Sequence, residues 1–473
     1  METLTATHLS TESDPLERLL LEPLLWDRPE TMHLLDRMMM HGVPGLSVAL
    51  IDDGRLAWAR AYGVREVDGQ DTVTPETRFQ AGSISKAVTA TAVMRLVQEG
   101  RLDLDEDVNA YLRSWQVPPN GDWQPRITLR QLLSHSAGTT MHGFFGYSVG
   151  DALPSEAKTL DGLPPANTRP VRVNLLPGTQ FRYSGGGTVI VQLVLADVMG
   201  EPFPQLMRAL VLDPLDMKQS SFEQPASNQD SSRATGHHID HGIVHGRWRV
   251  YPEMAAAGLW STPSDLGRWM CDLLRAYRGE QGTLLAHRTV RTMTVPQIEL
   301  HVGLGLFLHG RGDGFRCGHE GDTAGFQAEV FGFPSTGAGW AVMCNSDTAQ
   351  TLRRDVVRTL ATDRAWADLA QVRQPTPDAP PDLQNLAGVY RLLDEQVRVV
   401  HQDAVLHLHV PGQAAIRLVP REDTAFMCAG VNAEVVFQRG PTGAVHGFVL
   451  RQDGREMGAD RVQHVLSRWP GAT

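Results

Sequence analysis

Phe79-Gln80-Ala81-Gly82-Ser83-Ile84-Ser85-Lys86, followed by Ala87-Val88-Thr89-Ala90-Thr91-Ala92-Val93-Met94-Arg95-Leu96-Val97-Gln98-Glu99-Gly100, reads as a strand end that turns into a helix. Ala, Leu and Met favour helix, and Gly100 supplies a left-handed stop. Most of this helix is expected in the core. Ser83 and Lys86 stand one helical turn apart on a common face, where their side chains can meet. A serine at a helix entrance lies among unpaired backbone N–H groups at the positive end of the dipole, which suits an oxyanion. A lysine held in an apolar helix face is disfavoured as a cation, so its pKa should fall and a neutral amine becomes available to take the serine proton. The competing reading of Ser83 is a plain N-cap, because Ser-x-x-Lys is short.

Upstream, residues 1 to 13 are polar, and the leucine spacing from Pro15 to Met40 suits an amphipathic helix ended by Gly42 and Pro44. Leu46–Ile51 and Leu56–Tyr62 flank Asp52-Asp53-Gly54-Arg55, a hairpin signal. Downstream, Leu102 to Gly200 reads as a chiefly helical insertion broken by Gly-, Pro- and Asn-rich loops. Helices are expected at Phe203–Leu212 and at Pro263–Arg278, the latter capped by Thr262 or Ser264. Phe326–Phe333 and Trp340–Cys344 read as strands, and Thr348–Val372 as a long helix. Strands at both ends with helices between predict an α/β (α+β) domain over 1–372: an antiparallel sheet from distant segments, flanked by helices, with the α-rich insertion. Residues 373–382 form a proline-rich linker. In 383–473, Val397–Val400, Val405–Val410, Ala415–Leu418, Val435–Phe437 and Gly447–Leu450 are short, regularly spaced strands, the pattern of a small antiparallel β-barrel.

The 473 residues suffice for two or three domains with a large core, and the composition is that of a globular protein. A formal charge of -11 without a long basic run argues against nucleic acid and against an anionic membrane surface. Cys271, Cys317, Cys344 and Cys428 are scattered, without C-x-x-C pairs, so neither disulfides nor a metal site is expected of them. The N-terminus lacks a basic and then apolar leader, and no segment approaches eighteen apolar residues; the expectation is a soluble, cytoplasmic protein. Oligomeric state is not legible.

A nucleophilic serine needs a proton acceptor, an oxyanion site and a group that protonates the leaving atom. Tyr183-Ser184-Gly185-Gly186-Gly187 lies at a helix start, and His319-Glu320-Gly321-Asp322-Thr323-Ala324-Gly325-Phe326 leads into a strand with glycines that allow close backbone approach. Ser-x-x-Lys, Tyr-Ser-x and His-x-Gly, in that order, resemble the penicillin-binding-protein and class C β-lactamase superfamily of serine hydrolases. The resemblance extends through Ile127–Gly138, Asp213–Met217 and Ala257–Leu266, and covers roughly residues 30 to 365. It implies Ser83 as the acylated nucleophile, Lys86 as base, alone or shared with Tyr183, and Tyr183 as proton relay to the leaving group. It implies an oxyanion hole from the backbone N–H groups of Ser83 and Asp322, substrate contacts at Gly185 and Gly321, and no cofactor or metal. His319 is implied as a charged or hydrogen-bonding partner of Tyr183, or as a structural ring. Two departures matter. Gly185 stands where the family usually has an asparagine that holds the substrate amide, and His319 and Glu320 replace the lysine and threonine that receive a carboxylate. Both weigh against β-lactam and peptide turnover and favour a small-molecule ester over an amide. The C-terminal barrel is expected to be lipocalin-like.

His237, His238, His241 and His245 invite a metal hypothesis, against an exposed loop bordering the cleft with Trp248 and Tyr251. His135 reads as a packed turn after a helix rather than as part of a Ser-His-Asp triad. No phosphate loop is present, which removes a nucleotide cofactor. Beside ester hydrolysis stand a D-amino-acid amidase, peptidase, β-lactamase or acyltransferase, a catalytically silent scaffold, and a barrel that binds a small apolar ligand.

Overall fold

The computed structural model describes residues 14–21, 31–226, 231–238, 242–366, 369 and, with short gaps, 383–462. The chain divides into two compact units, one made of Met1–Arg18 with His33–Leu360 and the other of Leu19–Met32 with Ala361–Thr473. The sequence-derived linker at 373–382 lies outside the described residues.

The larger unit is built on a six-stranded sheet in the order Arg55–Gly63, Gly45–Asp52, Gly339–Cys344, Phe326–Gly332, Arg316–Thr323 and Phe307–His309. Every neighbouring pair is antiparallel. The predicted hairpin therefore joins strands that arrive almost three hundred residues later, with Gly45–Asp52 pairing Gly339–Cys344. One face carries helix Pro263–Tyr277, capped by Thr262, whose Oγ1 accepts from the Asp265 N–H at 3.2 Å. The helix lies so close that a methyl group on Gly332 would stand 2.8 Å from Met270 Sδ and Leu274 Cδ1. On the other face Glu329 accepts from Arg353 of helix Gln350–Asp363 at 2.9 Å and from Trp340 Nε1 at 2.7 Å.

Three expected helices are corrected. Among the described residues of Pro15–Met40 only Leu34–Met40 is helical; Arg18–Leu20 and Thr31–His33 are short strands, and Leu19 and Leu21 are buried on either side of a less buried Leu20, a period of two. The C-terminal helix stops at Asp363 instead of Val372, because Ala365 adopts φ 51 and the Trp366 N–H turns back to the Ala361 carbonyl. Leu102–Gly200 is mostly irregular, with helices only at Leu129–Leu133, Glu156–Asp161 and Gly185–Met199 and a 3-10 turn at Val108–Ala110. Its prolines, Pro118, Pro119, Pro125, Pro154, Pro164, Pro165, Pro170 and Pro177, deny the helix its hydrogen bonds.

The C-terminal unit contains a closed barrel of eight antiparallel strands in sequence order. Gly388–Leu392, Ala425–Cys428 and Arg455–Arg461 join the five anticipated strands, and closure pairs Tyr390 with Arg461. Tyr390, Phe426, Phe437 and Phe448 are buried together with ring centroids 4.9 to 6.0 Å apart, and Tyr390 donates to the Leu386 carbonyl at 2.7 Å. These rings fill the interior as a packed core. All four cysteines are buried and unpaired. No single helix among the described residues is long and apolar enough to cross a membrane.

Candidate active site

The anticipated helix spans Ile84–Gln98 and is buried on nearly all sides, ending before Gly100 at φ 71. Its entrance is a tight turn in which the Ile84, Ser85 and Lys86 N–H groups donate to the carbonyls of Ala81, Gly82 and Ser83. Ser85 pins the turn, donating to the Gly82 carbonyl at 2.6 Å and accepting from the Leu259 N–H at 3.0 Å. Ser83 occupies the N-cap position but its side chain caps nothing, so the plain-cap reading is removed. Its Oγ instead accepts from Lys86 Nζ at 2.8 Å. Lys86 is 5% exposed and donates a second bond, 2.8 Å, to the Ala256 carbonyl.

Gly82 must take φ 52, and the backbone of strand Arg316–Thr323 presses on this turn. A methyl group at Gly82 would lie 2.7 Å from the Asp322 nitrogen, and one at Gly321 would lie 1.9 Å from the Ala81 carbonyl oxygen and 3.0 Å from the Ser83 nitrogen. The two glycines thus allow the backbone around Asp322 to pack directly on the turn that carries Ser83.

Tyr183 precedes helix Gly185–Met199. Ser184 caps that helix, its Oγ accepting from the Gly187 N–H at 3.0 Å and donating to the Thr140 carbonyl at 2.7 Å. The Gly185 and Gly186 N–H groups donate to the carbonyls of His142 and Met141 at 2.9 and 3.0 Å. Three consecutive glycines permit this, since a methyl group at Gly186 would stand 2.7 Å from the Thr140 carbonyl oxygen. Lys86 Nζ lies 5.0 Å from the centroid of the Tyr183 ring, a cation–π distance.

Rings that the sequence did not reveal surround Tyr183: His135 at 4.3 Å, His142 at 5.0 Å and Phe307 at 6.3 Å between centroids. His135 is buried in the expected turn after a helix, at φ 54, but belongs to the site: Nδ1 accepts from the Ser184 N–H at 3.3 Å, which leaves its proton on Nε2. Burial and the Lys86 charge push its pKa well below the usual imidazole range. His319 is 3% exposed and meets Phe307 at 4.8 Å; its Nδ1 donates to the Glu320 carbonyl. Burial first and Lys86 second lower its pKa to about 3, so the charged reading of His319 gives way to a neutral ring. Phe307 lies against both Tyr183 and His319.

Among the described residues no group of three or more His, Cys, Asp or Glu side chains is placed to hold a metal ion. His237 is buried, accepting from the Val67 N–H at 3.0 Å and donating to the Asn345 carbonyl at 2.8 Å, and His238 pairs with Asp347 at 2.9 Å. His241 lies outside the described residues. Trp248 and Tyr251 are each 1% exposed, members of the core and not a cleft border. Three residues before Ala256, Glu253 is fully buried with both carboxylate oxygens unpaired, and burial pushes its pKa up to about 7.

The β-lactamase family profile matches residues 32–363. The chain is 27% identical over 259 residues to Protein flp of Staphylococcus aureus (strain N315), covering 51% of this chain and 48% of that protein; it thus spans about half the length of the curated relatives it matches. Among solved structures it is similar to an octameric penicillin-binding protein homologue from Pyrococcus abyssi, at 24% identity and TM-score 0.61, over 90% of this chain and 98% of the other. It is also similar to SurE, solved with D-Leu, at 27% identity and TM-score 0.56, over 91% and 97%. With most of the larger unit inside one family profile, the chain belongs to the β-lactamase family.

Proposed function

We propose that the protein is a serine hydrolase that cleaves an ester, and less readily an amide, of a small acyl substrate through a Ser83 acyl-enzyme. The observation that carries this reading is the 2.8 Å contact between Lys86 Nζ and Ser83 Oγ, at a turn on which the backbone around Asp322 packs closely. Lys86, acting as the neutral amine, takes the Ser83 proton as Oγ bonds to the substrate carbonyl carbon. The oxyanion develops between the Ser83 and Asp322 N–H groups, where one such donor contributes about 2.7–4 kcal/mol. Tyr183 passes a proton to the leaving oxygen or nitrogen, the carbonyl re-forms, and water releases the acid by the same steps reversed. Neutral His319, where other family members carry a lysine, provides no cation for a substrate carboxylate, which supports a carboxylate-free ester over a β-lactam.

A second reading, hydrolysis or transfer of a D-aminoacyl group, is favoured by the similarity to SurE, which was solved with D-Leu. One experiment addresses both: intact-mass labelling by a fluorophosphonate on wild type and Ser83→Ala, with a parallel screen of short-chain nitrophenyl esters, D-amino-acid anilides and a chromogenic cephalosporin. Stoichiometric labelling lost in the variant, with esters turned over fastest, is the expected result. Faster anilides would promote the second reading, and a folded wild type that resists labelling would remove the mechanism.

A further inference from the structure

Beside the Ser83–Lys86–Tyr183 cluster, the ring of Phe144 covers Gly185. A methyl group on Gly185 would stand 3.0 Å from Phe144 Cε2 and 3.3 Å from Cδ2, so the ring already holds the space a side chain at 185 would need. The loop that carries Phe144 is tied at both ends. On one side the His142 and Met141 carbonyls are bound by the Gly185 and Gly186 N–H groups. On the other, Tyr147 and Val250 exchange two backbone hydrogen bonds of 2.8 Å, and Gly146, at φ 70, is packed against Tyr251. Between these anchors Phe144 is half-buried and Phe145 is 81% exposed. The first N–H groups of helix Gly185–Met199 are consumed by the loop and by Ser184, so this wall presents no free donor from the helix end. His142, on the same loop, meets the ring of Tyr183, which in turn meets Lys86.

We infer that Phe144 is a specificity-determining residue, an aromatic wall that selects acyl donors bearing an apolar, ring-sized group beside the scissile carbonyl. The inference rests on Ser83 being the acylated nucleophile. An apolar wall gains from burying hydrocarbon and returns nothing to a polar amide, which would lose its water without a partner. Contact of this kind alters selectivity without altering the chemistry at the carbonyl.

The test compares kcat/KM for 4-nitrophenyl phenylacetate and 4-nitrophenyl acetate in the full-length wild type, Phe144→Ala, Phe144→Leu and Phe144→Trp, with fluorophosphonate labelling of Ser83 in each. Wild type should prefer the phenylacetate. Phe144→Ala should lower that preference about 10- to 100-fold while labelling persists, with Phe144→Leu between the two. Phe144→Trp should shift preference towards acetate. Equal preference in wild type, Ala and Leu variants, all still labelled, would overturn the inference. If Phe144→Ala fails to label, the Leu and Trp ratios decide. Failure of the wild type to label is a different result and removes the nucleophile on which the inference stands.

Discussion

Lys86 Nζ stands 2.8 Å from Ser83 Oγ and is fixed there by an equal bond to the Ala256 carbonyl. The amine is thus aimed by a backbone oxygen as well as by its own helix. Lys86→Met keeps length and burial but removes the proton acceptor, and should slow fluorophosphonate labelling of Ser83 by about 10²–10⁴-fold. Lys86→Arg should not rescue it, because a guanidinium stays protonated and cannot accept. Labelling kinetics with circular dichroism as the folding check decide the point; a rate equal to wild type in Lys86→Met would exclude the base role.

Tyr183 meets Lys86 through its ring face and three further rings through its edges and faces, so its packing and its hydroxyl can be separated. Tyr183→Phe retains every ring contact. Leaving-group protonation matters more for an amine than for a nitrophenolate, so the variant should lose anilide turnover by about 10²-fold or more while activated esters fall less. Equal losses on both substrates would show that the hydroxyl acts before the leaving group departs.

Glu253 and His319 give stability a pH dependence of opposite sign. The Glu253 carboxyl has its folded pKa raised from 4.5 to about 7, so folding favours the protonated form. That contribution is complete below 4.5 and is lost as pH climbs through about 7, on the order of 3 kcal/mol for a fully buried group. Glu253→Gln should therefore flatten the stability profile between pH 5 and 8, as read by urea unfolding at each pH. An unchanged slope would mean that the carboxyl is hydrated in the native state.

For His319 the folded pKa is depressed from 6.5 to about 3, so its contribution is present above 6.5 and lost as pH falls towards 3. In long-range ¹H–¹⁵N spectra its imidazole should remain neutral, with the proton on Nδ1, at pH 5. Lys86→Met removes the second cause of the shift and leaves the first, so His319 should then titrate at higher pH than in wild type. A His319 already charged at pH 6 would restore the reading of this ring as a charged partner of Tyr183.

What the sequence disclosed followed periodicity and short-range geometry. The hairpin at Gly45–Gly63, the helix after Ser83 and the cap at Thr262 rest on contacts between residues close in the chain, and each was legible. The Lys86–Ser83 contact is of the same kind, one turn apart. His135, His142, Phe307 and Phe144 were not read as site residues, because what brings them to Tyr183 and Gly185 is long-range packing of loops that carry no period. Only the three glycines at 185–187 hinted that another segment approaches there. His319 was read as leading into the strand at Phe326, whereas it lies inside a separate strand, Arg316–Thr323, and its charge state depends on burial and on Lys86, neither of which a spacing reveals. The N-terminal leucines misled for a related reason: a 3–4 spacing fits a helix, yet tertiary pairing drew Arg18–Leu20 and Thr31–His33 into strands.

Glu329 and Arg353 provide a test of the scaffold apart from the chemistry. Both are largely buried, 2.9 Å apart, with Trp340 Nε1 on the second Glu329 oxygen and Arg353 also donating to the Ala328 carbonyl at 3.2 Å. Removing one partner strands a charge in the interior, whereas removing both leaves hydrocarbon, so the two changes should be strongly non-additive. Arg353→Met should cost about 3–5 kcal/mol in urea unfolding, and adding Glu329→Leu should recover much of it even though the Trp340 N–H loses its acceptor. Glu329 pairs in register with Glu320, beside Gly321, on the strand adjacent to the one that packs on the Ser83 turn. Folded Arg353→Met below its Tm should still label at Ser83, and a loss of labelling without unfolding would show that the pair positions the strand as well as stabilising it.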